Sequence, residues 1–537
     1  MGYNFAGGGD GDRVFLMPPD PRDWLPEGHL AWAVRRSVRE LDLAPFLAGY
    51  RADGQGNTAY HPRMMVALVL YCCCKGIRSS RAIEMATFDD VGARVICGGL
   101  HPDHATNARF TVRHKEPLKG LLVQSLVACA REGLVRVDVA AGDGTKVKAN
   151  ASMAANATAE QLGLGLAELE RLLQAEVETW IEQARAADAA EDALFGDDGG
   201  PGGAPPGGRG RKRTAEKLAR RQAAEAKLTA EQQARQRQAE AERAARIARL
   251  AAEKDRLEAR AAEELAKGQA RVDRHAARAA AAAAGTGRRP RGRAPWPAEQ
   301  QRDVRASRQA AARAARKLGE AAAAPAVAAV PARPPKANVT DLASRVMPLK
   351  KGGFDQLYNL QAFGGRRQVI FAIGTHDSTV DVGALPALLA AGAANLAAAG
   401  ITDTIGKALF DAGYASEANF TAGCGADLYV AVTRESVQAG TPAGQDPAAS
   451  QSWQQMAAKL DTPEGRALYK QRKAIIEPVF AQLFARFGRT LNYRGDMVAT
   501  EIHLWAAAHN ILKAIRARAR SGQRERQAAA RPAMAAA

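Results

Sequence analysis

Three acidic residues stand where chemistry could be done. Asp143 follows an alternating run of Val135, Val137 and Val139 and opens DGTKVKANAS; Asp411 ends the short apolar segment KALFDAG; Glu477 lies in the helical stretch KAIIEPVF. Each occupies a place from which a side chain can reach the carboxyl edge of a central sheet, where open α/β sheets put their ligands. Carboxylates suit Mg²⁺, a hard ion that takes oxygen donors and keeps water and phosphate oxygens in its shell. Three converging carboxylates can hold two ions about 4 Å apart, one activating a water or 3′-hydroxyl and the other stabilising the leaving oxygen of a phosphodiester. Such phosphoryl transfer needs no Ser, Cys or His nucleophile, and the sequence has no local signature for one. Asp138, which lies in the strand itself, competes with Asp143 as first ligand. Taken singly, an aspartate after a strand is more often a turn or cap residue, as DAGY would be. Glu477 could be a solvated helix residue, but its neighbours Ile475, Ile476, Val479 and Phe480 suggest apolar surroundings in which a carboxylate needs a partner or a metal.

The elements that must position these acids are legible from periodicity. Residues 22–133 contain HLAWAVRRSVREL, PRMMVALVLYCCCKG, SSRAIEMATFDD and LKGLLVQSLVACAREG, each with helical spacing and plausible caps, and form an all-α N-terminal domain after a flexible stretch 1–21. Strand character then appears at 134–155 and returns in DQLYNLQAF and RQVIFAIGTHDS, a pair joined through Gly364 and Gly365. A helix over GALPALLAAGAANLAAAG, the strand KALF, a short helix and the strand DLYVAVTRE follow. TPEGRALYKQRKAIIEPVFAQLFARFG opens with Thr462 as N-cap and Pro463 at the first helical position, so one long helix is expected there, and a second over ATEIHLWAAAHNILKAIRARAR. With the middle of the chain set aside, the order strand, hairpin, helix, strand, helix, strand, helix suggests a ribonuclease-H-like α/β sheet over 134–155 and 338–515.

The middle differs in composition. Residues 156–285 are dominated by Ala, Glu, Arg, Gln and Lys, the make-up of long helices with little core. Leu162, Leu166, Leu169, Leu173, Val177 and Ile181 recur at steps of three or four and give a first helix an apolar stripe. FGDDGGPGGAPPGGRGRKR stops it, and a second helix resumes near Thr214; a helical hairpin or coiled coil is expected, with oligomerisation as its use. Residues 286–337, rich in Pro, Arg and Ala, read as a poorly ordered basic linker, and 516–537 as a disordered basic tail.

The chain of 537 residues has 75 Lys and Arg against 57 Asp and Glu, a net charge of +18. That balance suits a polyanionic partner. Six cysteines, with Cys72, Cys73 and Cys74 contiguous, make neither a disulfide framework nor a CxxC metal pattern and fit a reducing cytoplasm. No apolar run approaches the roughly 18 residues a bilayer requires, and MGYNFAGGGDGDR is not an export signal, so neither membrane insertion nor Sec export is expected. His101, His104 and His114 lack a cysteine or acid at metal spacing, so no zinc is expected. SSRAIEMATFDD followed by HATNARFTVRHK could be a helix-turn-helix presenting Asn107, Arg109, Arg113 and His114 to DNA; a helical bundle with a solvated basic face explains the same charges. Tyr358, Asn359 and Gln361 could touch DNA, although hairpin residues are more often structural.

DGTKVKANAS, YNLQAF, FDAGYASEAN, DLYVAVTRE and RALYKQRKAIIEPVFAQL resemble the bacterial insertion-sequence DDE transposases, in the branch named for insertion sequence 1182 within the insertion sequence 4/5-like superfamily. The resemblance covers most of the chain outside the central insertion. It implies that Asp143, Asp411 and Glu477 are the catalytic and metal-binding triad, Asp143 rather than Asp138 being favoured by the motif. Two Mg²⁺ ions, replaceable by Mn²⁺, would be the cofactors. Tyr469, Arg472 and Lys473 fall in the family's Tyr/Arg/Glu/Lys signature helix, whose side chains contact DNA phosphates. The signature lysine two turns after the glutamate is Phe484 here, leaving that contact missing or supplied by Arg486 or Arg489. The implied partners are double-stranded terminal repeats and target DNA, bound by a cytoplasmic, nucleoid-associated homo-oligomer in a salt-sensitive way. Two further readings stay open: an inactive, transposase-derived protein that binds DNA and oligomerises, and a ribonuclease-H-type nuclease that cuts without joining.

Overall fold

The computed structural model describes residues 20–50, 59–163, 208–288, 290, 292–325, 335–349, 352–421, 423, 425–432 and 451–535, with isolated positions between 166 and 178. The chain divides into two compact units, Met1–Asn156 with Asn338–Ala537, and Ala157–Ala337.

The first unit begins with helices whose starts are written in their caps. After α1 (Leu30–Arg39) and α2 (Ala44–Leu47), α3 (Pro62–Cys74) has Pro62 at its first position and the His61 ring accepting from the Arg63 amide. Ser79, Asp90 and Asp103 cap α4 (Ser80–Asp89), α5 (Val91–Cys97) and α6 (His104–Arg113), and α7 (Lys115–Arg131) follows. The candidate helix-turn-helix is thereby revised: α5 stands between its two segments.

The sheet contains β1 (Val139–Lys148), β4 (Arg345–Pro348), β5 (Phe354–Gly365), β6 (Ile370–His376), β7 (Lys407–Phe410) and β8 (Asp427–Val430), in the order β4-β5-β1-β7-β8 with β6 also on β5; β2 (Asn156–Thr158) and β3 (Lys336–Asn338) pair apart from it. β1 runs antiparallel to β5, with Asp143 opposite Ala362 and Gly144 opposite Gln361, and parallel to β7, which is parallel to β8. The remaining helices are α10 (Leu385–Ala398), α11 (Glu417–Thr421), α12 (Gln451–Asp461), α13 (Pro463–Tyr469), α14 (Gln471–Phe487) and α15 (Met497–Ala535). The elements follow the expected order in a mixed α/β architecture.

Both faces of the sheet are covered, so β5 is buried from Gln356 to Gly365, its polar Gln356, Asn359 and Gln361 included, and β6 from Ile370 to Ile373. Ala141, Val147, Leu360, Ala362 and Leu409 pack with α14, α15 and the N-terminal helices. Ala140, Phe363, Phe371 and Phe410 pack with α10 on the other face. The N-terminal helices share this core. The buried Asn510 amide ties α7 to β6 through α15, donating to Ser125 Oγ at 3.1 Å and the Ile370 carbonyl at 2.9 Å while accepting from the Ile370 amide.

The helix expected from Thr462 starts as anticipated, Thr462 Oγ1 accepting from the Gly465 amide at 2.9 Å, but it is broken at Lys470 into α13 and α14. Pro478 inside α14 cannot donate to the Ala474 carbonyl, and Gln368 Nε2 donates to it instead at 3.3 Å. The tail expected to be disordered from 516 is helical, since α15 continues to Ala535 through Gly522; its Ala and Arg content favours helix.

In the second unit the basic linker is corrected. After α8 (Gly208–Ala283), residues 302–323 form α9 (Arg302–Ala323), which packs against α8. Composition misled because prolines cluster on either side of 298–324; the segment between is an alanine-rich amphipathic helix that buries Val304, Ala311, Ala314 and Ala321. Of the expected first helix, Leu162 and Leu166 are buried, while Leu173, Val177 and Ile181 lie outside the described residues. Residues 1–19 also lie outside them.

Candidate active site

Asp143 and Asp411 come together from opposite halves of the chain. Parallel pairing of Ala141 with Leu409 carries both residues to the same end of two adjacent strands. Asp143 is the fifth of the ten residues of β1; Asp411 follows β7 and caps the Ala412–Tyr414 turn, accepting from the Gly413 amide at 2.9 Å. Arg472 on α14 joins them, its guanidinium 3.3 Å from Asp143 Oδ2, with both side chains largely buried at 10% and 20% exposure. Burial, and then the charge of Asp411, push the Asp143 carboxyl up to about 6, against the pull of Arg472. Burial of Arg472 opposes its charge, but Tyr469, Asp143, Asp411 and Glu477 more than offset this, and the group is held cationic. Arg472 Nε is buried with no hydrogen-bond partner among the described residues.

Helices α13 and α14 are anchored beside this pair. Tyr469 donates its hydroxyl to the Phe410 carbonyl at 3.2 Å, one residue before Asp411, and the Arg472 guanidinium lies 6.0 Å from the Tyr469 ring centre. Lys473 and Glu477 are exposed. The expectation of apolar surroundings for Glu477 is corrected: Ile475, Ile476, Val479 and Phe480 point into the core and the glutamate points to solvent, as the helical period dictates. Among the described residues no group of three or more His, Cys, Asp or Glu side chains is assembled to hold a metal. The site is therefore a pair of mutually repelling aspartates with a glutamate standing off on the adjoining helix. Asp138, the competing ligand, is instead paired with Arg366 at 3.1 Å.

The turn carrying Asp411 is braced by residues that sequence reasoning missed or underused. Gln361 and Asn359 on β5 donate to Asp381 Oδ1 at 2.7 and 2.8 Å, and Tyr414 donates its hydroxyl to Gln361 Oε1. A Cβ on Gly413 would lie 3.0 Å from Asp411 Oδ1 and 3.3 Å from Asp381 Oδ2, so these oxygens are at most the sum of those distances, 6.3 Å, apart. A Cβ on Gly144 would meet Asp381 Oδ1 at 2.7 Å. Two glycines thus keep the space around the acids open. Asp381 follows β6 in THDSTVD, which offers no spacing signal; YNLQ hinted at its partners. Tyr358 serves the fold, its hydroxyl donating to Asp341 at 2.6 Å.

Several residues expected at DNA are committed elsewhere. Asn107 is 1% exposed and donates to the Pro102 carbonyl at 3.0 Å, so it braces the α5–α6 connection and is corrected from the DNA-facing set. His114 is buried against Phe46, Tyr50 and Phe110, and burial lowers its pKa. Arg113 is exposed but lies 4.6 Å over the Tyr50 ring and donates to the Gly49 carbonyl; Arg109 is exposed and bonds within its own helix. Arg486 donates to the Cys74 carbonyl at the end of α3, which removes it as the substitute for the signature lysine. Arg489 is exposed, its guanidinium 4.2 Å from the Phe484 ring centre. Cys72, Cys73 and Cys74 are buried free thiols raised by burial, hence inert. No helix among the described residues is long and apolar enough to cross a membrane.

A partly buried aspartate pair, a cationic helix and an orphaned guanidinium donor stand together here. Two family profiles match the chain: one described as transposase domain (DUF772), over residues 19–113, and one described as transposase DDE domain, over residues 437–515. The chain thus carries an N-terminal transposase domain, spanning α1 to α6, and a transposase DDE domain that includes Tyr469, Arg472 and Glu477. No curated protein and no solved structure matches it.

Proposed function

We propose that the protein is a DNA transposase that cuts and joins phosphodiester bonds at the ends of its own element, with Asp143, Asp411 and Glu477 as its catalytic carboxylates. The observation that carries this reading is the convergence of Asp143 and Asp411 on adjacent parallel strands beside Arg472 and Glu477 of the transposase DDE domain. A central β1 flanked by the antiparallel β5–β6 pair and the parallel β7 and β8 supports a ribonuclease-H-like sheet. The donor set fits a divalent cation: burial and the charge of Asp411 raise the cost of ionising Asp143, which a bound cation removes, and both residues present oxygen ligands. When bound, such an ion supplies charge stabilisation at the phosphorus being displaced. The protein's own residues do the rest. Arg472, with Nε unpartnered, has a donor free for a phosphate oxygen; Tyr469 fixes the Asp411 strand end; Lys473 on α14 and Arg489 just beyond its end add exposed cations. The proposed substrate is double-stranded DNA, held by the N-terminal transposase domain together with this face.

Cleavage of a labelled duplex carrying the inverted repeats that flank the gene tests the reading. Wild type should cut in Mg²⁺ or Mn²⁺, and Asp143→Ala, Asp411→Ala and Glu477→Ala should each lose at least about a hundredfold in rate. A variant that cuts at the wild-type rate removes its residue from the mechanism. Strand-transfer product in a target plasmid separates a transposase from a nuclease that only cuts, and retained end-binding without any cutting would select the inactive binder.

A further inference from the structure

The loop between β6 and α10 carries Asp381, an acid outside the proposed triad, at the centre of a polar network that reaches the Asp411 turn. Asp381 Oδ1 accepts from two amide nitrogens, Gln361 Nε2 at 2.7 Å and Asn359 Nδ2 at 2.8 Å, and Gln361 Nε2 also donates to Asn359 Oδ1 at 3.1 Å. Asn359, Gln361 and Tyr414 are all buried, and the Tyr414 hydroxyl donates to Gln361 Oε1. Tyr414 closes the turn that Asp411 opens. Its amide donates to the Asp411 carbonyl at 3.2 Å, and the Gly413 amide donates to Asp411 Oδ1 at 2.9 Å. Asn419 joins the same two segments again, its Nδ2 donating to the Val382 and Tyr414 carbonyls, both at 2.7 Å. The loop is itself tied to the sheet: Lys146 Nζ donates to the Thr379 carbonyl at 2.8 Å and Asn359 Nδ2 to the Ser378 carbonyl at 3.1 Å.

We infer that Asp381 is a positioning residue for metal binding, which sets the direction of the Asp411 carboxylate through Gln361 and Tyr414. The inference rests on the reading of Asp411 as a metal ligand. A carboxamide can turn either end toward a neighbour, whereas a carboxylate only accepts. With both buried amide nitrogens drawn to Asp381 Oδ1, Gln361 presents its oxygen to Tyr414, and the phenol proton is committed to it. Without an acceptor at 381, two buried amide nitrogens lose their partner, Gln361 can turn over, and Tyr414 no longer has a fixed acceptor. The displacement is passed on at once, because Tyr414 is hydrogen-bonded to Asp411 itself. The network also explains the glycine after Asp143: a Cβ on Gly144 would meet Gln361 Nε2 and Asp381 Oδ1 and force the two apart.

Calorimetric titration of the full chain with Mn²⁺, in the absence of DNA, tests the inference, with urea unfolding in EDTA alongside. Asp381→Ala should weaken Mn²⁺ binding by about tenfold or more, the scale of losing a group that orients a metal ligand. Gln361→Glu, which sets one carboxylate against another, should weaken it similarly. Gln361→Glu/Asp381→Asn exchanges donor and acceptor and keeps an oxygen for Tyr414, so its affinity should return to within about threefold of wild type, a coupling that independent sites do not show. A residue that served only the fold would lower the unfolding free energy and leave the Mn²⁺ affinity unchanged. Unchanged affinity in both single variants, where Asp411→Ala does weaken binding, would overturn this inference alone, as would a double variant no better than Gln361→Glu. Unchanged affinity in Asp411→Ala would remove Asp411 as a ligand and this inference with it.

Discussion

Replacing Asp143 by Asn removes a charge that folding places in a poor environment, so the variant should be more stable than the wild type when no metal is present. The Asp143 carboxyl moves from an ordinary 3.8 to about 6, chiefly through burial and secondarily through Asp411, with Arg472 offsetting part of the cost. At 1.36 kcal/mol per pKa unit the ionised form costs the fold about 3 kcal/mol. Because the folded value lies above the unfolded one, the carboxyl's contribution is fully present below about pH 3.8 and is lost as pH rises through 6. Urea unfolding in EDTA should therefore show Asp143→Asn ahead of wild type by about 3 kcal/mol at pH 8 and by about half that at pH 5. Added Mg²⁺ should close the gap from the wild-type side, by about 2.7 kcal/mol at a hundred times its dissociation constant, and should leave the variant little changed. A variant no more stable than wild type at pH 8, or a difference indifferent to pH, would refute the claim that the pair is strained for metal binding.

The other predictions concern the neighbours of that carboxyl. Asp411→Asn should bring the Asp143 carboxyl part of the way back toward 3.8, burial being the larger cause, so the pH window over which stability falls should narrow in the same urea series. Gly413→Ala puts a methyl 3.0 Å from Asp411 Oδ1 and 3.3 Å from Asp381 Oδ2 and should weaken Mn²⁺ binding by about tenfold in a calorimetric titration, while costing less than about 1.5 kcal/mol of stability. Asn107→Ala leaves the Pro102 carbonyl without its donor and should cost about 1–2 kcal/mol in unfolding with no change in DNA affinity, whereas a base-contacting residue would do the reverse.

Local signals carried much of the fold. Prolines, side-chain caps and the switch from helical to strand period marked α1, α3, α4, α6, α7, β1, β5 to β8 and the start at Thr462, because each depends on residues within a few positions; the short α5 was not anticipated. What failed depended on distance or on averaging. Overall composition of 286–337 concealed a proline-free window long enough for α9. Asn107 carried polar character but faces inward, because Pro102 supplies its acceptor. Asp143 and Asp411 stood out because each follows a short apolar run; β1 continues past Asp143 to Lys148, and β1–β7 pairing is what brings the two together. Asp381 could not be found that way: its place at the site comes from Asn359, Gln361 and Gly413, none of which is near it in sequence. The outward direction of Glu477 was available from helical geometry, since it lies on the turn opposite Ile475, Ile476 and Val479.

The most direct measurement is the position of Mn²⁺ in crystals of the full chain bound to its repeat DNA, located by anomalous scattering. An ion with one oxygen from Asp143 and one from Asp411 within about 2.2 Å is the expected result. A Mn²⁺ ion that contacts the DNA phosphate but neither aspartate, in crystals of protein that still cuts, would contradict the account.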